Sequence, residues 1–220
     1  MRRDIVTSVI GIIVLTVLLG LVYPLVITGV SQVAFPGNAN GQKVYVDGKL
    51  VGSKIIGQAF VKPVLDKNGK PKEEEEEIVT EPDPLYFQSR PSATEGGAYN
   101  AAASTFSNRG PNDKVTEEED AENLRAYLEL EKPYNPGLSA ARIPVDAVNT
   151  SASNLDPEIS PANARIQAHR VAAKRQLSLG IVDGLVAKYT DSRGLGFSGE
   201  PGVNVLELNL ALDRLTGGTH

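Results

Sequence analysis

A chain of 220 residues with 22 basic and 27 acidic side chains, formal charge −5, has room for one medium domain and an appendage. That acidic balance argues against a nucleic-acid partner, whose binding surfaces are basic. With no cysteine and only His169 and His220 for histidine, disulfides, thiolate zinc sites and thiol nucleophiles are excluded, and histidine-based catalysis is poorly supplied.

The first predicted element is a membrane span. No residue from Ile5 to Val30 is charged, and the next charge is Lys43. The 19 residues from Ile5 to Tyr23, before Pro24, nearly cover the ~30 Å bilayer core at ~1.5 Å per residue. The run exceeds the ~7–15 apolar residues of a signal peptide and no A-x-A-like cleavage site follows. Residues 1–35 are therefore read as a retained membrane anchor in contact with lipid. Arg2 and Arg3 place the N-terminus in the cytoplasm by the positive-inside rule, which puts residues 36–220 outside as one extracytoplasmic domain. Removing Arg2, Arg3 and Asp4 leaves 20 basic and 26 acidic residues, a net charge of −6 for that domain. Thr7 with Gly11, and Thr16 with Gly20, are small pairs that let a partner helix approach.

After "FPGNANG", the segment "KVYVDGKLVGSKIIGQAF" predicts a β-hairpin about Asp47–Gly48, with Val44, Val46, Leu50 and Ile55 inward. The Pro-, Lys- and Glu-rich stretch near 64–83 reads as an acidic, solvated insertion, Glu73 to Glu77 included. "LYFQSRPSATEGGAYNAAASTFSNRGP" lacks helical period and predicts extended chain and loops. "TEEEDAENLRAYLELE" predicts a helix capped by Thr116, with Glu119 at N3, ending before Pro133. A short strand is expected within 142–153. A helix follows at about 178–190, capped by Ser178, with Ile181, Leu185 and Tyr189 on one face and Val182 and Val186 beside them. "VNVLELNLALDRL" begins with strand-like alternation at Val203 and Val205 and becomes helical. Without a βαβ rhythm the fold class is α+β: one N-terminal transmembrane helix, then a single mixed α+β domain.

Sequence signatures of independent enzymes do not appear. There is no G-x-x-x-x-G-K-[ST], G-x-S-x-G, S-x-x-K or D-K-T-G. "GLGFSGEPG" at 194–202 lacks the strand–turn–helix context of a dinucleotide site and reads as a flexible loop.

"SNLDPEISPANARIQAHRVAAKR" at 153–175 is the densest segment. Ser160 at N-cap and Pro161 at N1 start a helix. Asp156 and Glu158 precede its positive end, and Lys174 and Arg175 lie at its negative end. On a helical wheel Ala164, Ala168, Val171 and Ala172 form one apolar stripe, and Ala162, Ile166, Ala173 and Leu177 a second, nearly opposite. Two stripes predict a helix sandwiched between two elements. Between them run Asn163, Gln167, Arg170 and Lys174 on one side and Arg165, His169 and Gln176 on the other. His169 has no second histidine or placed carboxylate in the sequence pattern and is not read as a ligand or base.

A single N-terminal span followed by "GQAF", "YFQSRPSA", "YNAAAS", "NTSASNLDPEISPANARIQAHRVA" and "GVNVLELNLALD" resembles the KdpC family, the C subunit of the potassium-transporting P-type ATPases of prokaryotes. The resemblance runs from the span to the C-terminus and departs from the family at the acidic run near 64–83 and a lengthened segment near 111–135. It implies an accessory, non-catalytic subunit of a high-affinity, ATP-driven K⁺ uptake complex in the prokaryotic cell (inner) membrane. Separate chains of that complex, the partners of this one, are a channel-like K⁺-translocating subunit and a P-type ATPase pump subunit. ATP and K⁺ are used by the complex, and no cofactor or metal is assigned to this chain. The family is also described as a catalytic chaperone that raises the pump's affinity for ATP, and the resemblance puts that nucleotide-related role on Gln167. The positive-inside topology opposes it, because it places Gln167 outside the cell. Two further expectations concern this region. Asp156 and Glu158 form a helix entry that doubles as a cation-facing rim, and, as the alternative to the nucleotide role, Gln167, Arg170 and Asn163 bond the polar edge of a partner subunit. Arg90 in "SRPSA" is either a structural ion pair or a partner contact. The competing reading is a membrane-tethered, extracytoplasmic solute-binding module.

Overall fold

A computed structural model of the chain describes residues 1–74, 77–105, 107–110 and 112–217, and the chain divides into two compact units, Met1–Ser53 and Lys54–His220.

The first unit opens with α1 (Arg2–Val17), a π turn over Leu18–Val22 and α2 (Tyr23–Ala34). Together they make a 33-residue helix long and apolar enough to cross a membrane. The helix does not stop at Pro24. A proline lacks the N–H for the ladder and its ring crowds the carbonyl four residues back, so interior prolines kink or break helices. Here the ladder widens to i→i+5 immediately before the proline, a local adjustment that lets the helix continue. A four-residue turn, α3 (Pro36–Ala39), leads into β1 (Lys43–Val46) and β2 (Lys49–Ser53). These strands pair antiparallel about Asp47 and Gly48, whose φ values of 49° and 79° are both positive, as the expected two-residue turn requires. Val44 and Val46 are half-buried, but Leu50 is 57% and Ile55 50% exposed. The register slips between Val44 and Tyr45, so that Val51 has no opposite residue. That bulge breaks the alternation on which an inward Leu50 depended, and Ile55 lies beyond the end of β2.

The second unit begins with a β arm. Strand β3 (Val61–Pro63) pairs with β6 (Thr80–Pro82), and β4 (Glu73–Glu74) with β5 (Glu77–Ile78). The glutamates of this arm are exposed, as expected of a solvated insertion; Glu75 and Glu76 lie outside the described residues. Helix α4 (Lys114–Glu131) is capped by Asp113, whose carboxylate accepts the Thr116 N–H at 3.1 Å, and not by Thr116. The helix starts earlier than expected, so the Thr116 amide is the group that a cap satisfies. It ends before Pro133, as predicted. No strand forms within 142–153. Short 3₁₀ turns occupy Ala140–Arg142 and Val145–Ala147, and Asp146 instead accepts from the Ser160 N–H and the Asn163 amide.

Strands β7 (Glu158–Ile159), β8 (Thr190–Asp191) and β9 (Gly202–Asn204) form an antiparallel sheet in the order β7-β9-β8. Glu158 stands opposite Asn204, and Asp191 opposite Gly202. Helix α5 (Pro161–Arg175) packs on α6 (Leu179–Lys188), and α6 on α7 (Val205–Thr216). Helix α7 buries every residue from Val205 to Asp213 except Glu207, so it is the centre of the core. Ser178 caps α6 as expected, but Val182 and Val186 are its buried face while Ile181 is exposed. Val205, expected in the strand, is the first residue of α7, with Asn204 as its cap.

Candidate functional site

Helix α5 organises the polar interior of the domain. Ser160 accepts the Asn163 N–H, and Pro161 occupies the first helical position. The stripe Ala164, Ala168, Val171 and Ala172 is buried. The second apolar stripe is not: Ala162 and Ala173 are exposed, Ile166 and Leu177 half-buried. What joins the first stripe in the interior is the polar row Asn163, Gln167 and Arg170, each no more than 1% exposed. The helix is thus not sandwiched between two apolar layers. It has one wide buried face, half of it polar, and a buried polar face is stable only when its groups find partners.

Gln167 finds all of them. Its Oε1 accepts from the Gln88 N–H at 2.7 Å and from Arg170 Nη2 at 3.0 Å. Its Nε2 donates to the Gln88 carbonyl at 3.0 Å and to Asn163 Oδ1 at 2.9 Å. An amide side chain has two donor hydrogens and two acceptor lone pairs, so none is left for a ligand unless the Gln88 edge opens. Asn163 also accepts from the Tyr127 hydroxyl at 2.8 Å and donates to Asp146 at 3.0 Å. Arg170 donates to the carbonyls of Pro84 and Tyr86 and, through Nε, to Glu131 Oε1 at 2.8 Å. Asn163 and Arg170 are therefore interior residues rather than surface contacts for a partner.

On the other edge of the same extended segment, Asn209 of α7 exchanges two 2.9 Å bonds with the N–H and carbonyl of Phe87. Successive peptide groups of an extended chain point to opposite sides. Phe87 and Gln88 are thus clasped from both sides by amide side chains, which supply the bonds that neighbouring strands would give.

Burial pushes the Glu131 carboxyl above its ordinary range, and Arg170 opposes it. Burial likewise raises the Tyr127 phenol. Glu131 Oε2 is buried without a hydrogen-bond partner among the described residues.

Arg90 is a structural ion pair. Its Nη1 lies 3.1 Å from Asp156 Oδ2, and Nη2 donates to Asn149 and to the Thr150 carbonyl. Tyr99 donates its hydroxyl to the Arg90 carbonyl at 2.6 Å, and burial pushes that phenol up to about 12. Asp156 and Glu158 do come together, since Asp156 Oδ1 accepts the Glu158 N–H. Partial burial, then the charges of Asp156 and Asp191, raise the Glu158 carboxyl. Of this acidic group only Asp156 is ion-paired among the described residues. No group of three or more potential metal ligands is assembled among the described residues. His169 is exposed on the outer face of α5.

Sequence reasoning missed Glu131, Tyr127, Asp146 and Asn209. Asn209 alone left a signal, as an amide in the otherwise apolar run "VLELNLALD".

The family model for the K⁺-transporting ATPase c chain, KdpC, matches residues 5–214. Proteins named potassium-transporting ATPase KdpC subunit share this sequence over nearly its whole length. That of Koribacter versatilis is 43% identical over 213 residues, 97% of this chain and 95% of the relative. That of Methylococcus capsulatus is 43% identical over 204 residues, 93% and 94% of the two chains. That of Caulobacter vibrioides is 45% identical over 199 residues, 90% and 86%. With nearly all of the apolar span and of the α+β domain, and the "DPEISP" helix entry, inside the matched region, the chain belongs to the KdpC family, the c chain of K⁺-transporting ATPases.

Proposed function

We propose that this chain is an accessory, non-catalytic subunit that stabilises an ATP-driven potassium uptake complex. In this reading Arg2–Ala34 anchors it with the N-terminus in the cytoplasm, and the unit from Lys54 onward lies outside the membrane. The partners are the channel-like K⁺-translocating subunit and the P-type pump subunit. One observation carries the reading: the polar row Asn163, Gln167 and Arg170 of α5 is consumed inside the domain, with all four hydrogen-bonding sites of Gln167 filled. A residue so enclosed acts by making the domain rigid, and a rigid domain suits an assembly role better than a ligand-binding one. Any influence of Gln167 on the pump's use of ATP then passes through subunit contacts and not through the nucleotide.

The chain has no cysteine, so a single Leu195→Cys substitution at a 91% exposed position gives a clean topology probe. A membrane-impermeant maleimide should label it in intact cells, and labelling only after permeabilisation would overturn the orientation. The assembly role predicts co-purification with two larger partner chains from mild detergent. Recovery of the full chain only as a free monomer would defeat it.

Of Asp156, Glu158 and Asp191, the last two form no ion pair among the described residues, and they support a K⁺-facing rim. Glu158→Gln with Asp191→Asn should weaken the apparent K⁺ affinity of the intact complex without dissociating it. An unchanged K⁺ dependence sinks that part of the reading.

A further inference from the structure

The outer face of α5 carries basic side chains, Arg165 and His169, that form no ion pair among the described residues. Nine arginines follow Lys54 in the sequence. Arg90, Arg109, Arg170, Arg175 and Arg193 each hold a carboxylate. Arg125, Arg142, Arg165 and Arg214 form no ion pair among the described residues.

Two of these four, Arg142 and Arg165, line one cleft of about 420 Å³ together with His169 and Asn135, over a floor that includes Leu138 and Ile166. The volume is in the range of small-ligand sites, ~300–1,000 Å³. Arg165 and His169 are one helical turn apart on α5, and Arg142 comes from the 3₁₀ turn Ala140–Arg142. All three side chains are exposed. The fold does not use them: none makes a side-chain hydrogen bond or ion pair among the described residues, whereas Asn135 is held by bonds to the Glu131 and Ile166 carbonyls. Across the Arg165–His169 ridge, a second cleft of about 610 Å³ includes Asp183 and so has mixed charge.

An acidic domain that leaves two guanidinium groups unneutralised in one concavity creates a local positive potential. Guanidinium forks match the oxygens of phosphate and carboxylate groups, and a doubly charged anion gains most from two of them. We propose that this cleft binds a phosphate-class oxyanion, with Arg142 and Arg165 donating N–H groups to its oxygens and His169 adding a ring N–H. Free inorganic phosphate and a phospholipid headgroup share this chemistry. The inference is independent of the topology proposed above.

The test is calorimetric titration of the full chain, in a neutral detergent, with inorganic phosphate. A parallel arm uses short-chain phosphatidylglycerol against short-chain phosphatidylcholine. Saturable phosphate binding is expected, weakened about tenfold or more by R142Q/R165Q and unchanged by R125Q/R214Q, which removes unpaired arginines elsewhere. An unchanged unfolding temperature shows that the exposed double variant is still folded. Binding of phosphatidylglycerol alone, with the same arginine dependence, assigns the site to a headgroup. Failure of both ligands to bind, or affinity that survives in R142Q/R165Q, overturns the proposal.

Discussion

Arg170 and Glu131 form an ion pair 2.8 Å long with both side chains wholly removed from solvent. Burying two charges is costly, and their attraction repays it only with good geometry and further hydrogen bonds. Arg170 has those bonds, to two carbonyls and to Gln167. Glu131 has one oxygen bonded and one without a partner among the described residues. Removing the arginine strands the acid. Arg170→Met should therefore destabilise the domain by about 3–5 kcal/mol, a large part of the ~5–15 kcal/mol typical of a fold. Adding Glu131→Leu should recover much of the loss. Urea denaturation of the full chain in detergent measures both, and a double variant worse than the single would contradict the account.

The same pair sets a pH dependence. The folded-state pKa of Glu131 is raised, chiefly by burial, so the native state holds this proton at pH values where the unfolded chain has released it. Stability from this group is fully present below the ordinary glutamate range and falls as pH rises through the raised folded value. Glu158 is raised as well and adds in the same sense. Unfolding midpoints followed from about pH 4 to about pH 8 should show a shallower decline for Glu131→Gln than for the parent. Identical slopes would place the titration elsewhere.

Gln167→Leu keeps the bulk of the side chain and deletes four hydrogen bonds. It leaves the N–H and carbonyl of the half-buried Gln88 without their Gln167 partners, at up to about 1–3 kcal/mol for each unsatisfied group. Bonds within one network are not additive, so the expected total is about 2–5 kcal/mol. Amide hydrogen exchange at Gln88 should accelerate well beyond that of amides in α7. Unchanged protection at Gln88 would show that the clasp is dispensable.

Two glycines separate close packing from backbone flexibility. A Cβ at Gly57 would stand 2.6 Å from the Asp156 carbonyl oxygen and strike the Tyr99 ring. Gly184, inside α6, faces open space. Gly57→Ala should destabilise by about 1–3 kcal/mol through overpacking, whereas Gly184→Ala should stabilise by about 0.5–1 kcal/mol through helix propensity. Thermal unfolding decides, and shifts of the same sign would refute the distinction.

Local chemistry was legible wherever a residue acts on its neighbours. Asp47–Gly48 specified a hairpin, Ser160–Pro161 a helix start and Ser178 a cap, and all three hold. Thr116 failed because Asp113, three residues earlier, is an equally good cap for a longer helix. The inner face of α5 failed for a different reason. Periodicity treats Asn, Gln and Arg as outward residues, yet the main-chain groups of Gln88 that Gln167 binds lie 79 residues back, and those of Phe87 that Asn209 binds 122 back. No window on the helix alone contains them. Arg90 was readable as an ion pair, but its partner Asp156 is 66 residues away and was read separately as part of a cation rim.

The clasp on Phe87 and Gln88 has a mechanical consequence. Both amides grip main chain, from opposite edges, at adjacent residues. Helices α5 and α7 are thereby riveted to one short cord of polypeptide, and neither can slide along it without tearing a two-bond latch. A push delivered to either helix reaches the other undamped. Such a stiff strut conveys displacement instead of absorbing it.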